Sequence, residues 1–232
     1  MEYKLPPSFA GVRIFSSERQ DGPMNWANRE GRENLARFLR QIGATKPLCT
    51  AGQPHRTAVR LILKPGRYEE ADGLLTSQDF TLGVKTADCV PLILFEKKSK
   101  ILGGLHVSRL NLLQGIINQG LKSTLRQAKT DPQSLAAYLG PHIRIKNYPL
   151  KEEAISMIYQ TSFARFLHRR SGRVHFDLTA ALQGELEALG IKRENIIDCG
   201  IDTYADRRFF SSRRRQDQTA PVETFATVSF RK

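Results

Sequence analysis

The stretch from Pro47 to Val107 constrains the fold most. It is a succession of short β-prone runs, Pro47–Ala51, Val59–Leu63, Gly73–Thr76, Thr81–Thr86, Val90–Phe95 and Ile101–Val107, separated by Gly, Pro, Asp and Lys. Helical patterns flank it. Leu35, Phe38, Leu39 and Ile42 recur at helical spacing and Gly43 stops them. Leu113, Ile116, Ile117, Leu121 and Leu125 share one face of an amphipathic helix. Glu152–Leu167 reads as a third helix. Asp177 reads as the N-cap of a fourth, bearing Leu178, Leu182, Leu186 and Leu189 and closed by Gly190. Further strands are expected at Gly11–Ser17, Leu135–Leu139, Asn195–Gly200 and Phe225–Phe230. Strands mixed with outer helices give an α/β (α+β) layered domain, a mixed β-sheet core flanked by helices. No repeat, low-complexity tract or linker divides the chain, so residues 1–232 read as one domain.

Composition narrows the classes of function. No apolar run approaches the ~20 residues that cross a bilayer, and the first residues lack the basic-then-apolar order of a signal peptide. Three scattered cysteines, Cys49, Cys89 and Cys199, do not make a disulfide framework and fit a reducing, cytoplasmic setting. The net charge is +13, from 36 Lys+Arg against 23 Asp+Glu. Such a balance attracts phosphate-bearing partners, whether nucleic acid, nucleotides or inorganic phosphate, and the basic residues are spread along the chain rather than gathered into one tail. A monomer or a homodimer is expected.

The densest chemical signal is Thr86-Ala87-Asp88-Cys89-Val90-Pro91, between two apolar strands. His106 ends the next strand, after Gly103 and Gly104, which allow a backbone or ligand to approach closely. His55 lies in the loop Gly52-Gln53-Pro54-His55-Arg56. One Cys and two His suit zinc, since thiolate and imidazole both match a borderline-soft ion and three protein ligands leave a fourth position open. The bland alternatives stand beside this: a small buried thiol, a structural strand histidine and a solvated loop side chain. Cys49 and Cys199 sit in apolar strand runs and read as core. His168 and His175 have no supporting context.

These segments, taken in order, resemble the laccase-domain family, once labelled multicopper polyphenol oxidase and described as zinc-dependent purine nucleoside phosphorylases. The resemblance rests on Ala71-Asp72-Gly73-Leu74-Leu75-Thr76, on Thr86 to Leu94, and on His106. Gln53-Pro54-His55 is similar to a Gln-x-His motif of that family, and Gly140-Pro141-His142-Ile143 to its Gly-Pro-x-Ile turn. Phe209-Phe210-Ser211-Ser212-Arg213-Arg214 is similar to its late Phe-Ser-x-Arg-Arg motif. Ser16-Ser17-Glu18-Arg19 and Glu33-Asn34 also have counterparts. The resemblance implies a metal, zinc rather than copper, on His55, Cys89 and His106. It also implies phosphorolysis of adenosine, inosine, guanosine and methylthioadenosine, with adenosine deamination. One Cys and two His cannot assemble the several copper centres of a phenol oxidase.

Around that set, Cys89, His106 and Asp88 are the candidate catalytic residues, Asp88 as a general base, as an orienter of a ligand, or as a turn aspartate capping its own backbone. Asp72 is open to the same readings. Arg19, Arg213 and Arg214 are candidates for phosphate, or surface charges; His142 is an extra ligand or a satisfied turn histidine. The chain departs from the family pattern in places. Where relatives read Ala-Gly-Trp-Arg-Gly after the histidine, this chain reads Val107-Ser108-Arg109-Leu110-Asn111, with its arginine one place early. A one-residue shift at a strand end can turn a side chain to the opposite face. Thr219-Ala220-Pro221 replaces Thr-Gly-Arg, Asp202 replaces the Cys of Cys-Thr-Tyr, and Ser212 replaces a tyrosine. Two rival functions follow: an enzyme of altered specificity, and a non-enzymatic relative whose basic surface binds nucleic acid or a partner.

Overall fold

The β-prone runs become strands, and the strands divide between two sheets. The computed structural model describes residues 1–215 and 222–231. In chain order the elements are β1 (Val12–Ser16), α1 (Arg29–Gln41), β2 (Leu48–Ala51), β3 (Val59–Leu61), β4 (Arg67–Tyr68), β5 (Gly73–Thr76), β6 (Thr81–Thr86), β7 (Val90–Glu96) and β8 (Ile101–Val107). There follow α2 (Arg109–Leu113), α3 (Lys122–Gln127), β9 (Ala136–Leu139), α4 (Glu152–Tyr159), β10 (Leu167–Arg170), β11 (Arg173–Phe176), α5 (Leu178–Leu189), β12 (Ile196–Asp198) and β13 (Phe225–Arg231). One mixed sheet has the order β1-β13-β6-β2-β4 and the other β12-β9-β7-β8-β5-β3, while β10 and β11 form a separate hairpin.

The two sheets pack face to face. Val12, Ile14, Cys49, Ala51, Leu82 and Val84 of the first share a buried layer with Leu74, Ile93, Phe95, Leu102 and Tyr138 of the second. Side chains alternate across a strand, so β7 sends Ile93 and Phe95 into this layer and Leu92 and Leu94 to its other face. There they meet Leu112, Ile116, Leu121, Leu125, Leu182 and Leu186 from the helical segments. A strand covered on both sides reads as an unbroken apolar run, as β7 does. On the outer face of the first sheet, Leu35 and Phe38 of α1 pack with Phe15, Val228 and Phe230. The mixed sheets flanked by helices match the expected fold class, and no helix of the described residues is long and apolar enough to cross a membrane.

Three details differ from the sequence reading. The close approach at Gly104 is between sheets: a Cβ there would lie 3.2 Å from Val84 Cγ2 and 3.4 Å from Leu82 Cβ. The helix expected through Leu113–Leu125 is interrupted. Gly115 turns left-handed at φ 93°, a π-type turn spans Ile116–Leu121, and α3 follows. Ile116, Ile117, Leu121 and Leu125 are nonetheless buried as their spacing required, and Leu113 is half-buried against the same core. The helix expected over Glu152–Leu167 stops at Tyr159, because Thr161 caps a new 3-10 turn through its side chain. The chain then enters the β10–β11 hairpin, whose Ser171-Gly172 turn has both residues at positive φ, as tight hairpin turns require.

Candidate metal centre and cavity

His55, Cys89 and His106 come from three separate parts of the chain. His55 lies in the loop after β2, Cys89 in the β6–β7 turn that passes from one sheet to the other, and His106 on β8 opposite Pro91. Their ligand atoms all lie within 4.8 Å of one another. The two imidazoles stand edge to face, with centroids 4.7 Å apart. Burial opposes ionisation of the Cys89 thiol, but the neighbouring His106 and His55 rings outweigh it and hold its pKa below the ordinary thiol value. Burial likewise disfavours the charged form of His106, and Cys89 together with Asp72 reverses the balance upward.

Asp72 organises this cluster. Its buried carboxylate accepts from His106 Nδ1 at 2.9 Å and from the backbone N–H groups of His55 at 3.1 Å and Arg56 at 2.7 Å. A carboxylate only accepts, so Nδ1 of His106 carries a hydrogen toward Asp72, and in the neutral ring Nε2 keeps the lone pair that would bind a metal. Asn111 adds support, donating to the His106 carbonyl at 2.9 Å and to Asp72 at 3.4 Å. Gln53 pairs its side-chain amide with both backbone groups of Lys85, fixing the His55 loop against β6. Gln53 and His55 sit at positive φ, 66° and 62°, which such anchoring makes tolerable. Among these, Asn111 carried no signal as a site residue in the sequence. Its role depends on a contact with Asp72, which lies 39 residues away.

Asp88 occupies the tight β6–β7 turn at φ 89°. Its carboxylate accepts from Thr203 Oγ1 at 2.7 Å and from the Arg213 backbone N–H at 2.7 Å, and its carbonyl accepts from the Ile143 N–H. Burial raises its pKa, partly offset by those donors. The aspartate therefore ties together the turn bearing Cys89, the Gly140–Ile143 turn and the late Phe-Ser motif. His142 is fully buried and its ring is satisfied. Nδ1 donates to the Gly140 carbonyl at 2.7 Å, and Nε2 accepts from the Thr179 hydroxyl at 2.8 Å. His175 contacts the Ile145 carbonyl through Nδ1, and His168 is exposed on the hairpin.

Cys89 opens onto a cavity of about 710 Å³, whose wall also includes Asp88, Arg109, Leu110, Tyr148, Lys151, Met157 and Arg213. That is within the ~300–1,000 Å³ usual for small-molecule sites. The four arginines of interest are placed differently. Arg213 faces the cavity, its guanidinium 5.4 Å from the Tyr148 ring centroid. Arg214 is turned away, donating to the carbonyls of Thr203, Tyr204 and Phe209. Arg19 lies over the Phe210 ring at 5.2 Å and does not line the cavity. Arg109, displaced in sequence, does line it. Ser212 takes a place on the wall. Asp202 accepts from Asn147, holding the segment that presents Tyr148. Thr219, Ala220 and Pro221 lie outside the described residues.

Residues 25–227 match the family described as multi-copper polyphenol oxidoreductase laccase. The chain belongs to that family. A purine nucleoside phosphorylase of Campylobacter jejuni is 32% identical over 163 residues, covering 69% of this chain and 67% of that protein. A purine nucleoside phosphorylase of Deinococcus radiodurans is 28% identical over 213 residues, 91% of this chain and 79% of the relative. The crystal structure of YlmD from Geobacillus stearothermophilus shares the fold with TM-score 0.84 at 17% identity, covering 98% of this chain and 94% of that one. A Neisseria meningitidis protein aligns at TM-score 0.81 and 21% identity, over 100% of this chain and 98% of its own.

Proposed function

We propose that this member of the family is a zinc-dependent purine nucleoside phosphorylase acting on adenosine, inosine, guanosine and methylthioadenosine. The observation that carries the reading is the His55–Cys89–His106 cluster, which reaches through Cys89 a cavity that also presents arginines. The relatives in Deinococcus radiodurans and Campylobacter jejuni bear the name of that activity. The donor set fits zinc: one thiol with a depressed pKa, and an imidazole whose second nitrogen is fixed by a carboxylate. Zinc held there supplies a polarised water near neutral pH, the chemistry that deamination of adenosine also requires.

The protein's own residues do the rest. In phosphorolysis a phosphate oxygen bonds to the anomeric carbon as the bond to the purine nitrogen breaks; the electron pair leaves with the base, which takes a proton. The walls of the cavity hold the two reactants in line, a gain in orientation rather than in chemical activation. Arg213 supplies positive charge to the incoming phosphate. Asp88 acts as a positioning residue, keeping Cys89 and Arg213 in one arrangement through its two carboxylate contacts. The unpaired cysteines fit a cytoplasmic setting.

The deciding assay follows base and ribose-1-phosphate released from inosine at rising phosphate, beside ammonia released from adenosine. Phosphate-dependent base release, lost on metal removal and restored by zinc, is expected. A zinc-loaded protein yielding neither product refutes the enzyme reading.

A further inference from the structure

Arg109 opens α2 immediately beyond the strand that carries His106, and lines the cavity beside Cys89. Its Nε and Nη1 are shut off from solvent, with no hydrogen-bond partner among the described residues. Folded proteins pair nearly all such groups, and one left orphaned calls for a reason, an acceptor that arrives with a ligand among them. The setting selects what kind of acceptor. Arg109 donates a side-chain hydrogen bond to Tyr148, and the Arg213 guanidinium lies over the same Tyr148 ring. Lys151 completes the cationic lining. Neither Arg109, Arg213 nor Lys151 forms a salt bridge among the described residues. Of the carboxylates on the wall, Asp88 already accepts from Thr203 and Arg213, and Glu153 is the other.

We propose that Arg109, with Arg213 and Lys151, forms a phosphate-binding subsite, in which the Arg109 side chain turns toward the anion so that its Nε and Nη1 groups, unpaired in the free protein, find acceptors there. A guanidinium directs several fixed N–H donors at anion oxygens, which a point-charge ammonium cannot reproduce. This rests on the phosphorylase reading only for the fate of the phosphate; binding itself needs neither nucleoside nor turnover. The anion is either inorganic phosphate or the phosphate of a nucleotide, since both present the same oxygens.

Calorimetric titration of the full chain with inorganic phosphate, and separately with inosine 5′-monophosphate, tests this on the native protein and on Arg109→Met, Arg109→Lys and the exposed hairpin variant Arg170→Leu. Native protein and Arg170→Leu are expected to bind alike. Arg109→Met should lose ~10–100-fold in affinity, as for one or two charge-assisted hydrogen bonds, and Arg109→Lys should lie between. Metal content should be unchanged in all. Because Arg109→Met removes orphaned buried donors, its melting temperature should equal or exceed the native value, whereas a merely structural arginine would lower it. Tighter binding of inorganic phosphate than of the nucleotide assigns the free anion; the reverse order assigns the nucleotide. Phosphate affinity of Arg109→Met within twofold of native, or an equal loss in Arg170→Leu, overturns the subsite. Arg109-dependent binding in a protein that phosphorolyses nothing leaves the subsite standing and removes the enzyme reading instead.

Discussion

Replacing Asp72 by asparagine should loosen the metal without touching a ligand. The wild-type carboxylate faces only donors: His106 Nδ1, the His55 and Arg56 backbone N–H groups, and the Asn111 amide. An asparagine keeps one accepting oxygen and turns the other into an NH₂ donor. If that NH₂ takes the Oδ2 place it meets the Arg56 N–H; if it takes the Oδ1 place it meets both histidine contacts. The first arrangement leaves one donor unsatisfied and the second at least two, at a cost of about 1–3 kcal/mol in stability for each. In the second arrangement His106 can relieve the clash by moving its hydrogen to Nε2, the nitrogen that would bind metal. Loss of such an outer partner typically lowers metal affinity ~10–100-fold, or about 1.4–2.7 kcal/mol. The assay is competition between the protein and a chelator of known affinity, with nitrogen chemical shifts of the imidazoles reporting the tautomer. A folded Asp72→Asn protein that holds zinc within twofold of the native affinity refutes the reasoning.

The other expectations test separate parts of the molecule. Cys89→Ser should lose most bound zinc in elemental analysis while Cys49→Ser, altered only within the inter-sheet core, should keep it; equal losses would remove Cys89 from the ligand set. His142 has its pKa lowered to about 4 by burial and the nearby Arg144 charge. Between about pH 6.5 and 4 the unfolded chain takes up a proton that the folded one refuses, so stability should fall by ~3 kcal/mol as pH drops through that window and level off below it. Urea unfolding at stepped pH measures this, and His142→Asn should reduce the slope by that contribution; an unchanged slope would assign the effect elsewhere. Gly104→Ala should cost about 1–3 kcal/mol in thermal or urea unfolding, because its methyl group would press on Val84 and Leu82 across the sheet interface. A neutral result would show that the sheets can separate freely there.

Much of this protein was legible from local pattern. Six of the strands through Pro47–Val107 and the α1 and α5 helices follow from local residue pattern, which depends only on near neighbours, whereas the short β4 (Arg67–Tyr68) did not announce itself. Asp177 caps α5 through Ala180 as its position suggested. The ligand set was visible as residue types in a recognisable order, although nothing in the spacing of His55, Cys89 and His106 required them to meet. Where the local reading failed, a short-range competitor was present: Gly115 at positive φ broke one expected helix, and the Thr161 cap and the Ser171-Gly172 turn diverted another. Tertiary structure alone decided which strands share a sheet and which polar groups find each other. Asp72 meets His106 across 34 residues, and Asp88 meets Arg213 across 125. The same decision turned Arg214 onto backbone carbonyls and left Arg109 facing the cavity with unsatisfied donors. A hydrogen bond depends on the position and direction of both partners, and for groups so far apart in sequence these are set by packing of the whole chain rather than by either residue's neighbours.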